Sequence, residues 1–454
     1  MSFPRYSAYR DSGVEWLGQI PSHWAVKRLR FVAELNPSKS EVSHLAADTE
    51  VSFLPMEAIG EDGSLELDRV RPLADVQTGY TFFRDGDVTI AKITPCFENG
   101  KGAAMRDLCN GIGFGTTELI VTRPKAMQTT STYLHWLFTS RPFRKAGEAF
   151  MYGAGGQKRV PDDFVRDFAI GFPPLPEQRH IVTFLGREAA KIDALVEEQR
   201  RLIELLKEKR QAVISQAVTK GLNPNVPMKD SGVAWLGKVP AHWEVKTIRH
   251  IIDAIGDVDH FMPQSVDKGV PYLMTGDLKD LVSEVRLEDC KQVSDSDYLQ
   301  LSKKIKTAKG DVVMARYATI GTTMYVDLDL EVLVSYSCVT LKTSHRKMSG
   351  MYLFQYMKSD AFRQGVEHRV NTNTQGNVGI GDLQTLKVAV PPLDEQAAIT
   401  AVLGSESLKM GSLIAESERA VSLLNERRAA LISAAVTGKI DVRGLVPQPV
   451  AAAA

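Results

Sequence analysis

Phe172-Pro-Pro-Leu175-Pro-Glu177-Gln178, followed by a proline-free run to Thr219, is the stretch on which the architecture of this chain turns. Proline fits the first turn of a helix, where its missing N–H costs nothing, and breaks a helix interior. A cluster of prolines directly upstream of a long proline-free segment therefore marks a helix start. The same arrangement returns as Val390-Pro-Pro-Leu393-Asp-Glu395-Gln396, followed by a proline-free run to Thr437. Gly221 and Gly438 sit where each helix would stop.

The recurrence extends outward in both directions. Asp11-Ser-Gly-Val-Glu-Trp16-Leu-Gly18 returns as Asp230-Ser-Gly-Val-Ala-Trp235-Leu-Gly237, and Pro21-Ser-His23-Trp24 as Pro240-Ala-His242-Trp243. These landmarks are displaced by 219 residues (Asp11 to Asp230), while Arg210 to Thr219 recurs as Arg428 to Thr437 at a displacement of 218. Two long matches at nearly one offset define an internal duplication, so the chain is two tandem halves. Upstream of each proline cluster the texture is glycine-rich, with short apolar runs such as Asp87–Ala91, Glu118–Thr122, Asp311–Ala315 and Val332–Ser335 that read as strands.

Inside the helices, Ile192, Leu195, Gln199, Leu202, Leu206, Lys209 and Val213 alternate steps of three and four residues. The second half repeats this with Met410, Leu413, Ser417, Ala420, Leu424, Arg427 and Leu431. This is a heptad seam flanked by charge at Glu197, Arg200, Arg201, Glu204 and Glu208, the pattern of a solvated helix pair. Each half supplies one such helix, so the helices of the two halves are expected to pair with each other. Related by duplication, they can run antiparallel as a rod of about 60 Å. The expected class is α/β (α+β): two pseudo-symmetric halves, each a globular mixed α/β domain followed by a long helix, with the helices forming an antiparallel coiled coil. The boundaries read as domain 1–172, helix 173–222, domain 223–390, helix 391–440, and a disordered tail 441–454.

At 454 residues the chain exceeds a single ordinary core, and its 44% hydrophobic and 24% charged residues are those of a soluble globular protein. Lys+Arg and Asp+Glu number 55 each, so any polyanion-binding surface is a local patch rather than a global charge. Cys96, Cys109, Cys290 and Cys338 form no C-x-x-C pair, which suits a reduced cytoplasmic protein without a zinc site. No apolar stretch approaches the roughly 20 residues that span a membrane.

The landmarks resemble one known family, the specificity subunits of type I restriction-modification enzymes. The resemblance rests on Pro-Pro-Leu-x-Glu-Gln at Pro173–Gln178 and Pro391–Gln396, and on the opener Asp-Ser-Gly-Val-x-Trp-Leu-Gly with Pro-x-His-Trp. It rests also on the stretch Gly86-Asp-Val-Thr-Ile-Ala-Lys92 through Lys101, with its counterpart from Gly310 to Thr319. The likeness covers nearly the whole chain. It implies two target-recognition domains that each read half of a split double-stranded DNA target, separated by spacer helices. The implied partners are two methyltransferase subunits docked on the helices and restriction (motor-nuclease) subunits. No cofactor is implied, and the domains differ between landmarks, so the implied target is asymmetric.

Base sequence is read by bidentate contacts, chiefly Arg or Lys to guanine and Asn or Gln to adenine. In the first half, Gly153-Ala-Gly-Gly156 lets backbone approach a duplex, and Gln157, Lys158 and Arg159 follow at once. In the second half the amide-rich equivalent carries Asn371, Asn373, Gln375 and Asn377. Lys92, Thr94, Asn99 and Lys101, with Arg316 and Tyr317, follow strands and complete the candidates. The plainer alternative is that Lys92 and Arg316 pair with Asp87 and Asp311, and that the glycine-rich and amide-rich segments are solvated turns.

Enzymatic signatures fail on inspection. Both Pro-Pro pairs follow an apolar residue, not the Asn or Asp of an adenine methyltransferase motif, and no G-x-x-x-x-G-K-[ST] loop occurs. Asp289-Cys290-Lys291, with Asp277 upstream, is a D-x-K of the kind common in charged loops. The chain reads as non-catalytic. The competing interpretation is a coiled-coil assembly scaffold whose α/β modules bind protein rather than DNA.

Overall fold

A computed structural model describes residues 3–154, 156–344, 346–370 and 376–446. The chain forms two compact units, and each takes part of both long helices: residues 1–199 with 419–454, and residues 200–418. The Gly-Asp-Val strands are the centres of both. Val88–Ala91 and Val312–Ala315 are buried at every position, so neither face meets water and the run is continuously apolar rather than alternating. In the first unit Val88–Ala91 lies between Leu119–Pro124 and Gly102–Ala104, and Ala33–Leu35 completes the antiparallel sheet. In the second, Val312–Ala315 lies between Cys338–Thr343 and Thr323–Tyr325, with Ile252–Gly256 at the edge. A further sheet in each unit contains one parallel pair, Glu50–Leu54 with Ile112–Gly115 and Val270–Leu273 with Leu333–Val334.

The aspartate that opens each central strand is committed to the fold. Asp87 accepts the Arg84 amide at 2.9 Å and receives the Arg123 guanidinium at 2.6 and 2.8 Å. Asp311 accepts the Ala308 amide at 2.8 Å and the Lys342 ammonium at 2.7 Å. The plainer alternative, in which Lys92 and Arg316 pair with these carboxylates, does not hold: Arg123 and Lys342 on the neighbouring strand take them, directly across the ladder.

The proline clusters start helices as their chemistry requires. Helix Leu175–Lys220 runs 46 residues and Leu393–Val436 runs 44. The Pro174 carbonyl accepts the first-turn amides of Glu177 and Gln178 at 2.9 and 3.0 Å, and the Pro392 carbonyl accepts that of Gln396 at 2.9 Å. Gly221 and Gly438 stop them at φ of 75° and 72°, the left-handed region that glycine adopts without strain.

The helices pair as an antiparallel coiled coil. In the first unit Ile181, Phe184, Leu185, Ile192 and Val196 share a core with Leu431, Ile432, Ala435 and Val436, and Asp193 forms an ion pair with Arg428 at 2.9 Å. In the second unit Ile214, Ala217 and Val218 share a core with Ile399 and Leu403. The start of one helix thus meets the end of the other in each unit. Among the expected seam residues Ile192, Leu206, Met410 and Leu431 are buried and Val213 and Leu424 half-buried, whereas Leu195, Leu202 and Leu413 are exposed. Their neighbours turn inward instead: Val196 and Ile203 are buried and Ile414 half-buried. Both members of each adjacent pair are apolar, so spacing alone allowed either phase. Packing selects the step of four before three and the β-branched member.

The duplicated landmarks meet at one node per unit. Trp24 and Trp243 are fully buried. The Trp24 indole donates to Glu177 at 3.0 Å, and Glu177 also takes Tyr6 Oη at 2.6 Å and meets His23 Nε2 at 2.7 Å. In the second unit the Trp243 indole donates to Glu395 at 2.8 Å, and His242 Nε2 lies 2.5 Å from the same carboxylate. The far side of each indole faces the other helix's terminal glycine. A Cβ on Gly438 would stand 2.4 Å from Pro21 Cδ and 3.2 Å from Trp24 Cη2, and one on Gly221 would stand 3.3 Å from Trp243 Cζ2. Burial and the bond to Glu177 push the Tyr6 phenol's pKa upward. Residues 441–446, expected to trail, instead pack on the first unit: Val442 is fully buried and the Asp441 amide donates to the Pro4 carbonyl at 2.8 Å. Residues 447–454 lie outside the described residues.

The two nodes differ in solvation, with the Glu177 side chain 6% exposed and that of Glu395 38%. Glu177→Ala strands a buried indole N–H and a phenol, and is expected to cost about 3 kcal/mol, against roughly 1 kcal/mol for Glu395→Ala. Urea unfolding of the full chain, followed by tryptophan fluorescence, measures both. Equal losses contradict the difference in burial.

Candidate nucleic-acid interface

In the first unit the glycine-rich segment is the tip of a small hairpin. Tyr152 and Arg159 close it through paired backbone bonds, the Arg159 amide to the Tyr152 carbonyl at 2.9 Å and the reverse at 3.2 Å. Gly153 (φ 143°) and Gly156 (φ 80°) supply the turns, and a Cβ on Gly153 would stand 2.3 Å from the Gln157 carbonyl oxygen. The hairpin is laced to the loop that follows the central strand. The Val160 amide bonds the Lys92 carbonyl at 2.8 Å, and the Thr94 amide bonds the Lys158 carbonyl at 2.9 Å.

Thr94 is the peg of this arrangement. Its hydroxyl donates to the Gly156 carbonyl at 2.8 Å and accepts the Lys158 amide at 3.1 Å. Arg159 is held as firmly, its guanidinium forking onto Glu118 with contacts of 2.7, 2.9 and 3.1 Å. That hydrogen bond keeps the Glu118 carboxyl below the usual carboxylate range, and the same bond raises Arg159. Lys101 Nζ donates to the Met56 carbonyl at 2.9 Å, and Asn99 Nδ2 donates to Glu61 at 2.7 Å on the surface. Lys92 is half-buried. Gln157 and Lys158 are exposed, and among the described residues their side chains make no hydrogen bond or ion pair. The structure therefore sorts the candidates: Thr94 and Arg159 shape the hairpin, and Gln157 and Lys158 are presented at its tip.

The second unit repeats the lacing with different residues. The Val378 amide bonds the Arg316 carbonyl at 3.2 Å, as Val160 bonds Lys92, and Tyr317 bridges Asn377 as Ile93 bridges Arg159. Arg316 itself departs from expectation. It is only 6% exposed, lies 3.3 Å from Asp257, and stacks over Tyr317 at 5.4 Å, so it is part of the domain interior and not presented for contact. Asp257 turns in from the end of strand Ile252–Gly256 and also takes Lys304 at 3.0 Å. Asn377 and Tyr317 stand at the loop base, while Asn371, Asn373 and Gln375 lie outside the described residues.

Sequence reasoning did not reach Glu118, Asp257 or Tyr152. Glu118 lies 41 residues from Arg159, with no local spacing to connect them. Tyr152 is 66% exposed beside the hairpin, a visible aromatic next to the glycine run. The D-x-K triplet is absorbed locally: Asp289 pairs with Arg286, Cys290 is buried, and Lys291 Nζ bonds the Pro263 carbonyl. Among the described residues no helix is long and apolar enough to cross a membrane.

Residues 240–405 match the sequence family described as the type I restriction modification DNA specificity domain. Among individual proteins, the specificity subunit of the type I restriction enzyme EcoAI of Escherichia coli is 44% identical over 189 residues, 41% of this chain and 31% of that subunit. The chain thus spans about a third of that relative's length. The putative type I restriction enzyme MjaX specificity subunit of Methanocaldococcus jannaschii is 20% identical over 437 residues, 94% of this chain and 96% of that one. In fold, the chain is similar to one solved in work on complex assembly and conformational transition of the type I R-M system. The TM-score is 0.71 at 18% identity, covering 92% of this chain and 98% of that one.

The Thr94 peg has a direct test. Thr94→Val removes two hydrogen bonds that shape the hairpin tip, worth about 1.4 kcal/mol of local closure, or roughly tenfold in opening. Trypsin cleavage after Lys158 is expected to quicken by about that factor with the thermal midpoint unchanged. Unaltered cleavage contradicts the peg.

Proposed function

We propose that this chain is the non-catalytic, sequence-reading subunit of a type I restriction-modification complex. It reads an asymmetric, split double-stranded DNA target and directs partner subunits to it. The observation that carries this is the paired reading loops. The same backbone lacing ties a segment to the strand end of each domain, at Lys92–Val160 and Arg316–Val378, while the side chains beside it differ: Gln157 and Lys158 in one, Tyr317 and Asn377 in the other. A shared scaffold carrying different side chains suits two half-sites of different sequence. Glutamine suits adenine, and lysine suits guanine or phosphate.

The chemistry belongs to the partners. Two methyltransferase subunits modify adenine on either side of the gap, and restriction subunits cut when the site is unmodified. The net charge of zero means that phosphate attraction alone gives little affinity, so tight reading depends on the assembled complex. The free chain is therefore expected to bind DNA weakly.

The coiled coil sets the gap between half-sites. One heptad inserted after Glu204 lengthens a helix by about 10 Å, roughly three base pairs of duplex. Adenine-methylome sequencing of a host expressing the variant with its methyltransferase partner is expected to show both half-sites unchanged and the gap lengthened. An unchanged gap contradicts the spacer role. In the same assay Gln157→Ala and Lys158→Ala are expected to relax discrimination at one half-site alone by about tenfold. Equal loss at both half-sites contradicts their placement.

A further inference from the structure

The first hairpin is anchored on an acidic residue, where a DNA-facing surface would ordinarily exclude one. Glu118 stands at the turn before strand Leu119–Pro124, beside a hairpin whose tip presents Gln157 and Lys158. Three chain segments meet there. The Glu118 carbonyl accepts the Lys92 amide at 2.8 Å, its amide donates to Thr116 Oγ1 at 3.1 Å, and its carboxylate accepts from Nε and Nη2 along one edge of the Arg159 guanidinium. The carboxylate is mounted on the sheet, and the arginine is mounted on the hairpin.

A half-exposed ion pair contributes little to stability, because water and salt screen it. A bidentate fork is nevertheless directional: two parallel bonds fix the guanidinium plane as well as its position. Arg159 directly follows Lys158 and backbone-pairs with Tyr152, so fixing Arg159 fixes the stem from which the tip projects. We propose that Glu118 is a positioning residue for the first half-site: it orients the Gln157–Lys158 tip through Arg159 and determines specificity without touching DNA. This rests on the DNA-reading function proposed above.

The proposal runs against simple electrostatics, which makes it testable by sign. A carboxylate near phosphates repels DNA, so if Glu118 were only a surface charge, removing it would tighten binding. If Arg159 itself read a base, Glu118→Gln would free it and also strengthen the first half-site. The positioning role gives the opposite outcome.

The experiment compares the full chain with Glu118→Gln, Arg159→Glu and the charge-swapped pair Glu118→Arg/Arg159→Glu. Each is co-expressed with its methyltransferase partner and read by adenine-methylome sequencing, with thermal midpoints measured in parallel. Glu118→Gln is expected to lower discrimination at one half-site about tenfold, leaving the other half-site, the gap and the midpoint unchanged. The swapped pair is expected to recover discrimination to within about threefold of the unsubstituted chain. Unchanged or sharper discrimination in Glu118→Gln overturns the proposal. So does a swapped pair as defective as Arg159→Glu, which would place Arg159 on a base, and so does equal loss at both half-sites with a lowered midpoint. If the unsubstituted chain directs no split methylation motif at all, the DNA-reading function itself falls, and this inference with it.

Discussion

Each half of this protein depends on one buried indole. Trp24 and Trp243 donate their single N–H to the glutamate of a helix's first turn, and the opposite side of each ring faces the glycine that ends the other helix. A buried indole N–H left unpaired is costly, and a ring of that size leaves a large void if it moves. Once the indole is seated, the start of one helix, the end of the other and the domain's opening segment share one place. The landmarks repeated in the sequence, Pro-x-His-Trp, Pro-Pro-Leu-x-Glu-Gln and the terminal glycine, are the parts of that node.

This explains what the duplication preserves and what it releases. The node, the Gly-Asp-Val strand opener and the helix seam recur because each satisfies a buried polar group or fills a core. The loops beyond the strand ends carry no such obligation. The backbone lacing recurs in both units, Val160 to Lys92 and Val378 to Arg316, while the side chains beside it differ, with Thr94 and Arg159 shaping the first and Tyr317 and Asn377 standing at the second. A scaffold that fixes the loop's backbone and frees its tip suits the proposed reading of two unlike half-sites.

Much of this was legible in the sequence. The offset of the landmarks revealed the duplication, the proline clusters located the helix starts, and Gly221 and Gly438 located the ends. Continuous apolar runs marked the central strands to within a residue or two. The parts that were not legible share a cause. Leu195-Val196, Leu202-Ile203 and Leu413-Ile414 are adjacent apolar pairs, so the helix phase was degenerate until packing resolved it. Arg316 belongs to the interior because of Asp257, and Arg159 is held by Glu118, partners far away in sequence that no local spacing announces. A basic residue after a strand reads as a DNA contact until its carboxylate is found. The division of both helices between units is likewise a tertiary fact, since sequence order assigns each helix whole to its own half.

The central claim is that each domain reads its own half of a split target. Its most direct measurement is the methylome of a host expressing a chimaera in which residues 244–390 also replace residues 25–172, together with the methyltransferase partner. Both heads then carry the second domain's surface on an unchanged pair of helices. The predicted motif is an inverted repeat of one existing half-site across the original gap. A motif that keeps both original half-sites would contradict the account.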